Sequence, residues 1–291
     1  MGHIIAFAGL KDGVGKTSLA SHIAYLLALC EYKVLLIDMD CIHHELTKRL
    51  LGNNAFLKNI ECNEIFYPTL NNILSVDCLP DIFPFEQLPL PLWCQCAENM
   101  DRGKGCLCII PSYYREPQSF WMQGSDFSFW PGLMHFFSFY RDSWDFIIVD
   151  TIALQNKNSF PILKGTDSVI LVSYPYPYFS SNLTEYMEYL AEEKKVLFCE
   201  NMVLDKKGKG LVSFSQDFFC FEARRNSHKK KFFWDTFSQE HDFSPSSRQW
   251  TISMFLLLQE ILDQFQEKLS RNKMPSFMKN FAASHPYINA L

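Results

Sequence analysis

The sequence predicts an α/β fold with a mainly parallel, doubly wound sheet flanked by helices, and three observations carry that expectation. The apolar run His3 to Gly9 leads through a glycine-rich turn into a segment, Lys16 to Cys30, whose apolar residues fall at helical spacing; a second apolar run, Val34 to Asp38, follows. Strand, loop, helix and strand within about forty residues form a βαβ unit, which brings parallel strands and a right-handed crossover. Further short apolar runs recur at 106–110, 144–150, 168–173 and 196–199, each reading as another buried strand.

The elements follow in order. In the first helix Leu19, Ile23, Leu26, Leu27 and Cys30 share one face. Residues 42–105 are less regular: Leu70 to Leu79 suits a short helix, and Pro80 to Leu92 is a proline-rich loop. A long amphipathic helix is expected over 247–271, with the stripe Met254, Leu258, Ile261, Leu262, Phe265 and Leu269. The aromatic residues crowd 113–144 and 213–234, where they read as core and interface packing. No internal repeat or low-complexity segment interrupts the chain. A single domain over 1–291 is expected, with an irregular insertion at about 42–105 and a divergent part at about 206–291.

Composition narrows the class. A net charge of -5 speaks against a chain coated with nucleic acid, though it leaves room for a local basic patch. Ten cysteines in 291 residues do not make a disulfide framework of the small secreted kind. The opening apolar stretch is short and runs into Lys11 and Asp12, so no signal peptide is expected. No run approaches the roughly 18 apolar residues of a membrane span. The expected setting is a reducing cytoplasm with mostly free thiols.

The turn between the first strand and helix holds the most chemistry. The chain has 12 glycines, yet Gly9, Gly13 and Gly15 fall together here. Such a loop turns backbone N–H groups inward around phosphates, because glycine tolerates the positive φ this needs. The helix that follows points the positive end of its dipole at the same anion. Lys16 would reach the β- and γ-phosphates and Thr17 would place its hydroxyl on Mg²⁺. The common form of this loop opens with glycine five residues before its Gly-Lys pair; here Leu10 stands there, and a second lysine, Lys11, opens the loop instead.

In that two-lysine form, Lys11-Asp-Gly-Val-Gly-Lys-Thr17, the loop resembles that of the ParA/MinD family of deviant-Walker P-loop ATPases. Val34-Leu-Leu-Ile-Asp-Met-Asp40 is similar to the family's strand ending in Asp-x-Asp, and Trp144-Asp-Phe-Ile-Ile-Val-Asp-Thr151 to its Walker B strand. Ser168 to Ser173 with Tyr174-Pro-Tyr-Pro177, and Phe198-Cys-Glu-Asn201, resemble the strands that come next; the motifs keep family order over 3–205.

The resemblance implies a P-loop NTPase domain with ATP and Mg²⁺ as its ligands. It assigns nucleotide binding to Lys11, Gly13, Val14, Gly15, Lys16, Thr17 and Ser18, and the adenine edge to Asn201. It places the metal with Thr17, Asp38 and Asp150, and catalysis with Lys11, Asp38 and Asp40. Asp38 would orient the attacking water with Asp40 as its support, and Lys11 would reach the partner's phosphates across a nucleotide-sandwich homodimer. Asp38 and Asp40 also suit helix N-caps, and Asn201 a turn start. The implied activity is slow ATP hydrolysis serving DNA partitioning or cargo positioning, with an activating protein partner. The alternative is a nucleotide sensor that regulates a partner complex with little turnover and no DNA binding.

Two departures stand out. Asp12 replaces the family's first loop glycine and puts a carboxylate beside the phosphates. Two unit charges about 4 Å apart interact by roughly 4 kcal/mol at an effective dielectric of 20. Asp12 therefore bears on sandwich dimerisation and hydrolysis more than on ATP binding, unless it points away or pairs with a lysine. Ile152 stands where the family has proline after Thr151.

Two other constellations remain open. Cys94, Cys96, Cys106 and Cys108 form a symmetric pair of Cys-x-Cys motifs that suits either four thiolates around zinc or strand residues facing the core. Residues 206–231 carry Lys206, Lys207, Lys209, Arg224, Arg225, Lys229, Lys230 and Lys231 against two acids, which suits a solvated face or a nonspecific DNA patch.

Overall fold

The computed structural model describes residues 1–9, 11–40, 43–51, 89–94, 105–112, 129–154, 159–173, 190, 194–203, 219–224 and 245–265. The chain divides into two compact units, 1–12 with 16–167, and 13–15 with 168–291.

The first unit holds β1 (His3–Gly9), α1 (Lys16–Leu29), β2 (Lys33–Asp38), α2 (Glu45–Leu51), β3 (Leu90–Cys94), β4 (Cys106–Ile110), α3 (Phe129–Arg141), β5 (Phe146–Asp150) and α4 (Ser159–Lys164). Its strands lie in the order β3-β4-β2-β5-β1. The pairs β4–β2, β2–β5 and β5–β1 are parallel, and β3 adds to β4 antiparallel. The parallel strands are continuous buried runs because both sheet faces are covered. Leu19, Ile23, Leu26 and Leu27 of α1 are all buried, as their spacing predicts. That helix ends where Glu31 takes a left-handed φ of 68° and Tyr32 donates its N–H back to the Leu27 carbonyl.

The second unit holds β6 (Ser168–Ser173), β7 (Lys195–Val203), β8 (Phe219–Arg224) and α5 (Pro245–Gln264). Its three strands are parallel and in sequence order. Met254, Leu258, Ile261 and Leu262 of the expected stripe are buried on α5. The helix starts two residues earlier than 247, with Pro245 at a first-turn position that needs no N–H, and it stops at Gln264. Leu269 lies outside the described residues.

The α/β class and the mainly parallel sheet agree with the sequence, and several boundaries change. Leu90 to Leu92, expected in a proline-rich loop, belong to β3; this strand ends the sheet among the described residues, and an edge strand tolerates a proline such as Pro91. The irregular stretch 42–105 contains α2 as well, which is too short to show helical periodicity. The strand expected over 144–150 begins at Phe146, because Ser143 and Trp144 donate to the Tyr140 carbonyl in the turn that ends α3. The strand expected over 196–199 runs on to Val203, so Asn201 sits inside β7, at a register shift, and does not start a turn. The aromatic crowding at 113–144 is partly resolved as packing: Phe136, Phe137 and Tyr140 of α3 are buried, with the Phe136 and Tyr140 rings edge to face at 5.0 Å. The expected helix at 70–79 lies outside the described residues. Among the described residues no helix is long and apolar enough to cross a membrane.

Candidate nucleotide and metal site

Parallel strands bring their C-terminal ends to one edge of the first unit's sheet. The register sets Asp38 beside Asp150, and Asp150 beside Phe7, two residues before Gly9. The phosphate loop follows β1 at this edge and leads into α1. Gly13 and Gly15 take φ values of 79° and 95°, conformations that side-chain-bearing residues rarely adopt, which is why glycine stands at both. Val14 between them is buried. Lys16 opens α1 and is itself only 5 % exposed. Its ammonium donates to the Lys11 carbonyl at 3.5 Å and lies 3.6 Å from the Asp12 carboxylate. Asp12 thus pairs with the loop's own lysine, one of the outcomes open for it in the sequence.

The two carboxylates at the strand ends are bonded very differently. Asp38 is fully buried, and its oxygens accept hydrogen bonds from the Thr47 N–H (2.9 Å), the Thr47 hydroxyl (2.6 Å) and the Asp40 N–H (3.1 Å). Burial, then the neighbouring Asp150 charge, push Asp38 well above the usual carboxylate range, with the Thr47 bonds pulling the other way. Asp150 is equally buried, yet neither of its oxygens has a hydrogen-bond partner of normal geometry. Burial raises it to about 7, offset by the Thr17 hydroxyl and the Lys16 ammonium. A buried, unsatisfied carboxylate costs free energy unless something compensates it. Thr17, Lys16 and Asp150 therefore fit a divalent cation beside bound phosphate, whereas Asp38, the third expected ligand beside Thr17 and Asp150, already accepts three hydrogen bonds.

Asp40 is buried and organises the segment after β2. Its Oδ1 accepts the His43 N–H at 3.0 Å and its Oδ2 lies 3.2 Å from His43 Nδ1. His44, at a φ of 52°, donates its N–H to the Asp40 carbonyl, and its ring meets the Ser112 hydroxyl at 3.0 Å. Ser112 in turn donates its N–H to Thr47 Oγ1 at 3.0 Å. Asp38, Thr47, Ser112, His44 and Asp40 thus form one network joining the ends of β2 and β4 to α2. In this arrangement Asp38 accepts from the Thr47 N–H in the first turn of α2 and Asp40 from the His43 N–H in the turn before it, but neither directly precedes α2, so neither is its N-cap. Thr47, Ser112 and the helix carrying Thr47 were not anticipated. The available signal was charge order, with Glu45 in the first turn of α2 and Lys48 and Arg49 in the last.

Other candidates are placed as follows. Ser18 accepts a hydrogen bond on its hydroxyl from Arg49 of α2 and one on its carbonyl from His22 Nδ1. Thr151 donates its hydroxyl to the Phe7 carbonyl at 2.9 Å, and Ile152 is buried beyond it. Asn201 lies in the second unit, on β7. Among the described residues, the group of three potential metal ligands is Asp12, Asp40 and His43, one ligand atom from each lying within 4.8 Å of the others. Cys106 and Cys108 are buried free thiols on β4. The hydrogen-bonded Cys108 thiol brings Cys106 down to about 7 against its burial. In the backbone register Cys94 pairs with Cys106 and Pro91 with Cys108. Cys96 lies outside the described residues, as does most of the basic segment 206–231, of which β8 forms a part.

The phosphate loop, the paired strand-end aspartates and the parallel sheet coincide with a family model. The family of CobQ/CobB/MinD/ParA nucleotide binding domains matches residues 5–206. The chain belongs to this family. Among solved structures, a plasmid partition protein from Borrelia burgdorferi bound to AMPPNP is 17 % identical, with 89 % of this chain and 99 % of that one covered, at a TM-score of 0.60. The septum site-determining protein MinD of Pyrococcus horikoshii complexed with Mg-ADP is 16 % identical over 93 % of this chain and 100 % of that one, at a TM-score of 0.62. The pNOB8 ParA bound to nonspecific DNA is 20 % identical over 71 % of each chain, at a TM-score of 0.51. No curated protein matches the chain. The family membership bears out the ParA/MinD resemblance, and the likenesses bear out the P-loop NTPase fold.

Proposed function

We propose that this protein is a slow, Mg²⁺-dependent ATPase of ParA/MinD type, working as a nucleotide-dependent dimer switch in DNA partitioning or in positioning a cargo complex. The observation that carries the reading is Asp150: a fully buried carboxylate whose oxygens have no hydrogen-bond partner of normal geometry among the described residues, beside the hydroxyl of Thr17 and the ammonium of Lys16. The loop amides at Gly13, Val14 and Gly15, with Lys16, Thr17 and Ser18, bind the phosphates. Thr17 and Asp150 hold Mg²⁺, with Asp38 contributing to its shell. The metal supplies charge neutralisation on the transferring phosphoryl group. Lys11, exposed at the start of the loop, acts on the partner's phosphates in the homodimer, and Asn201 reads the adenine edge. Asp38 and Asp40 orient the attacking water once the segment after β2 rearranges, because their present hydrogen bonds hold that segment to α2.

The partition protein bound to AMPPNP and the ParA bound to nonspecific DNA favour a DNA-associated role, in which segment 206–231 supplies the phosphate-backbone patch and an activating protein stimulates turnover. One observation favours the second reading, a nucleotide sensor that regulates a partner with little turnover: Lys16 is engaged by Asp12. The deciding experiment is size measurement with ATP and Mg²⁺ on wild type and Lys16→Ala, coupled to ATPase and DNA-retention assays. A dimer formed by wild type alone, with salt-sensitive DNA retention, is the expected outcome. ATP binding with no dimer, turnover or DNA retention overturns the switch and leaves the sensor.

A further inference from the structure

We propose that Asp12 makes this phosphate loop selective for metal-complexed over metal-free nucleotide, an inference that rests on the nucleotide-binding reading of the loop. The Asp12 carboxylate stands 3.6 Å from the Lys16 ammonium, the charge the loop offers to phosphate. Asp12 is 57 % exposed on its side chain whereas Lys16 is buried, so the carboxylate sits on the solvent side of the cation, where a ligand approaches. It is also crowded by its own sign: a ligand atom of Asp12 lies within 4.8 Å of one from Asp40. The Lys16 ammonium therefore already faces the Asp12 carboxylate before any phosphate arrives, and the Asp40 carboxylate, itself bonded by His43, stands near that same carboxylate.

Repulsion from such a pair grows with the charge of the incoming ligand, and metal-free ATP carries roughly twice the negative charge of its Mg²⁺ complex. The complex would also bring its own positive charge to offset that repulsion, which metal-free ATP does not. A glycine at position 12 would impose neither effect. Asp12 thus discriminates between two charge states of one nucleotide, a task separate from holding the phosphates.

The test is calorimetric titration of the full-length protein with ATP and with ADP, each in Mg²⁺ and in EDTA, for wild type, Asp12→Asn, Asp12→Gly and Asp12→Glu. Circular dichroism checks that each variant is folded. Asp12→Asn and Asp12→Gly are expected to tighten Mg·ATP about tenfold and metal-free ATP about a hundredfold, so the preference for the complex falls about tenfold, while Asp12→Glu keeps it. A preference unchanged within about twofold in both neutral variants, with binding intact, overturns the role of Asp12 and leaves the nucleotide reading standing. Folded variants that bind no nucleotide even with Mg²⁺ overturn both.

Discussion

Asp38 and Asp150 stand side by side in one sheet, in register and equally buried, and they are opposites in bonding. Asp38 accepts three hydrogen bonds from Thr47 and Asp40, and Asp150 has none of normal geometry. Strand position alone therefore does not assign a carboxylate its role. The segment that follows decides: β2 leads into a turn whose donors fold back onto Asp38, whereas β5 leads into Thr151, whose hydroxyl turns to the Phe7 carbonyl and not to Asp150. In this structure the saturated aspartate holds the segment after β2 to α2, while the other keeps its oxygens open to a ligand.

The sharpest way to break this comparison is to neutralise each member. Asp150→Asn is expected to lower Mg²⁺-dependent ATP turnover by at least about a hundredfold, since it removes the charge proposed to face Mg²⁺. Its nucleotide-free melting temperature should hold or rise, because a desolvated carboxylate is gone. Asp38→Ala should do the reverse in the melt, costing about 2–3 kcal/mol as three donors lose their acceptor. Paired thermal melts and turnover assays read both. Equal destabilisation by the two substitutions would remove the distinction.

A smaller effect is expected one bond further out. Thr47→Val keeps the shape of the side chain but deletes the hydroxyl that donates to Asp38 and accepts from the Ser112 N–H. The loss should be about 1–2 kcal/mol by chemical denaturation, since a buried amide is left unpaired. A double-mutant cycle with Asp38→Ala should show strong non-additivity if the two residues act as one unit.

The contrast between these carboxylates also marks how far the sequence could be read. The turn at Gly13 and Gly15 was legible because both take the positive φ that a glycine-rich loop between strand and helix demands. The βαβ order was legible because buried parallel strands are unbroken apolar runs. What Asp38 touches was hidden, since Thr47 lies on a seven-residue helix too short to print a period, and Ser112 reaches it only through β2–β4 pairing. The Asp12–Lys16 pair was one of two open outcomes, because charge spacing gives proximity without direction. The edge strand at 90–94 was masked by Pro91 and the proline-rich run before it; an edge tolerates such a proline and a central strand does not.

The mildest prediction concerns His22, which sits on α1 beside the loop and shares Ser18 with Arg49 of α2. Burial lowers it to about 4, with the Arg49 charge adding to the effect and the Ser18 carbonyl opposing it. An imidazole with a folded pKa below its unfolded value binds more protons when unfolded, so between the two values stability rises with pH. The contribution is present above about 6.5 and is lost as pH falls toward 4. From pH 7 to pH 5.5 the loss amounts to about 1 kcal/mol. Asp38 and Asp150 act with the opposite sign, since raised carboxylates favour the folded state toward acid, and the wild-type curve mixes all three. The difference curve between wild type and His22→Gln isolates the imidazole: it should slope over that range and flatten above pH 7. A flat difference throughout would mean that His22 reaches water, and that the α1 face joining the phosphate loop to α2 is open to solvent.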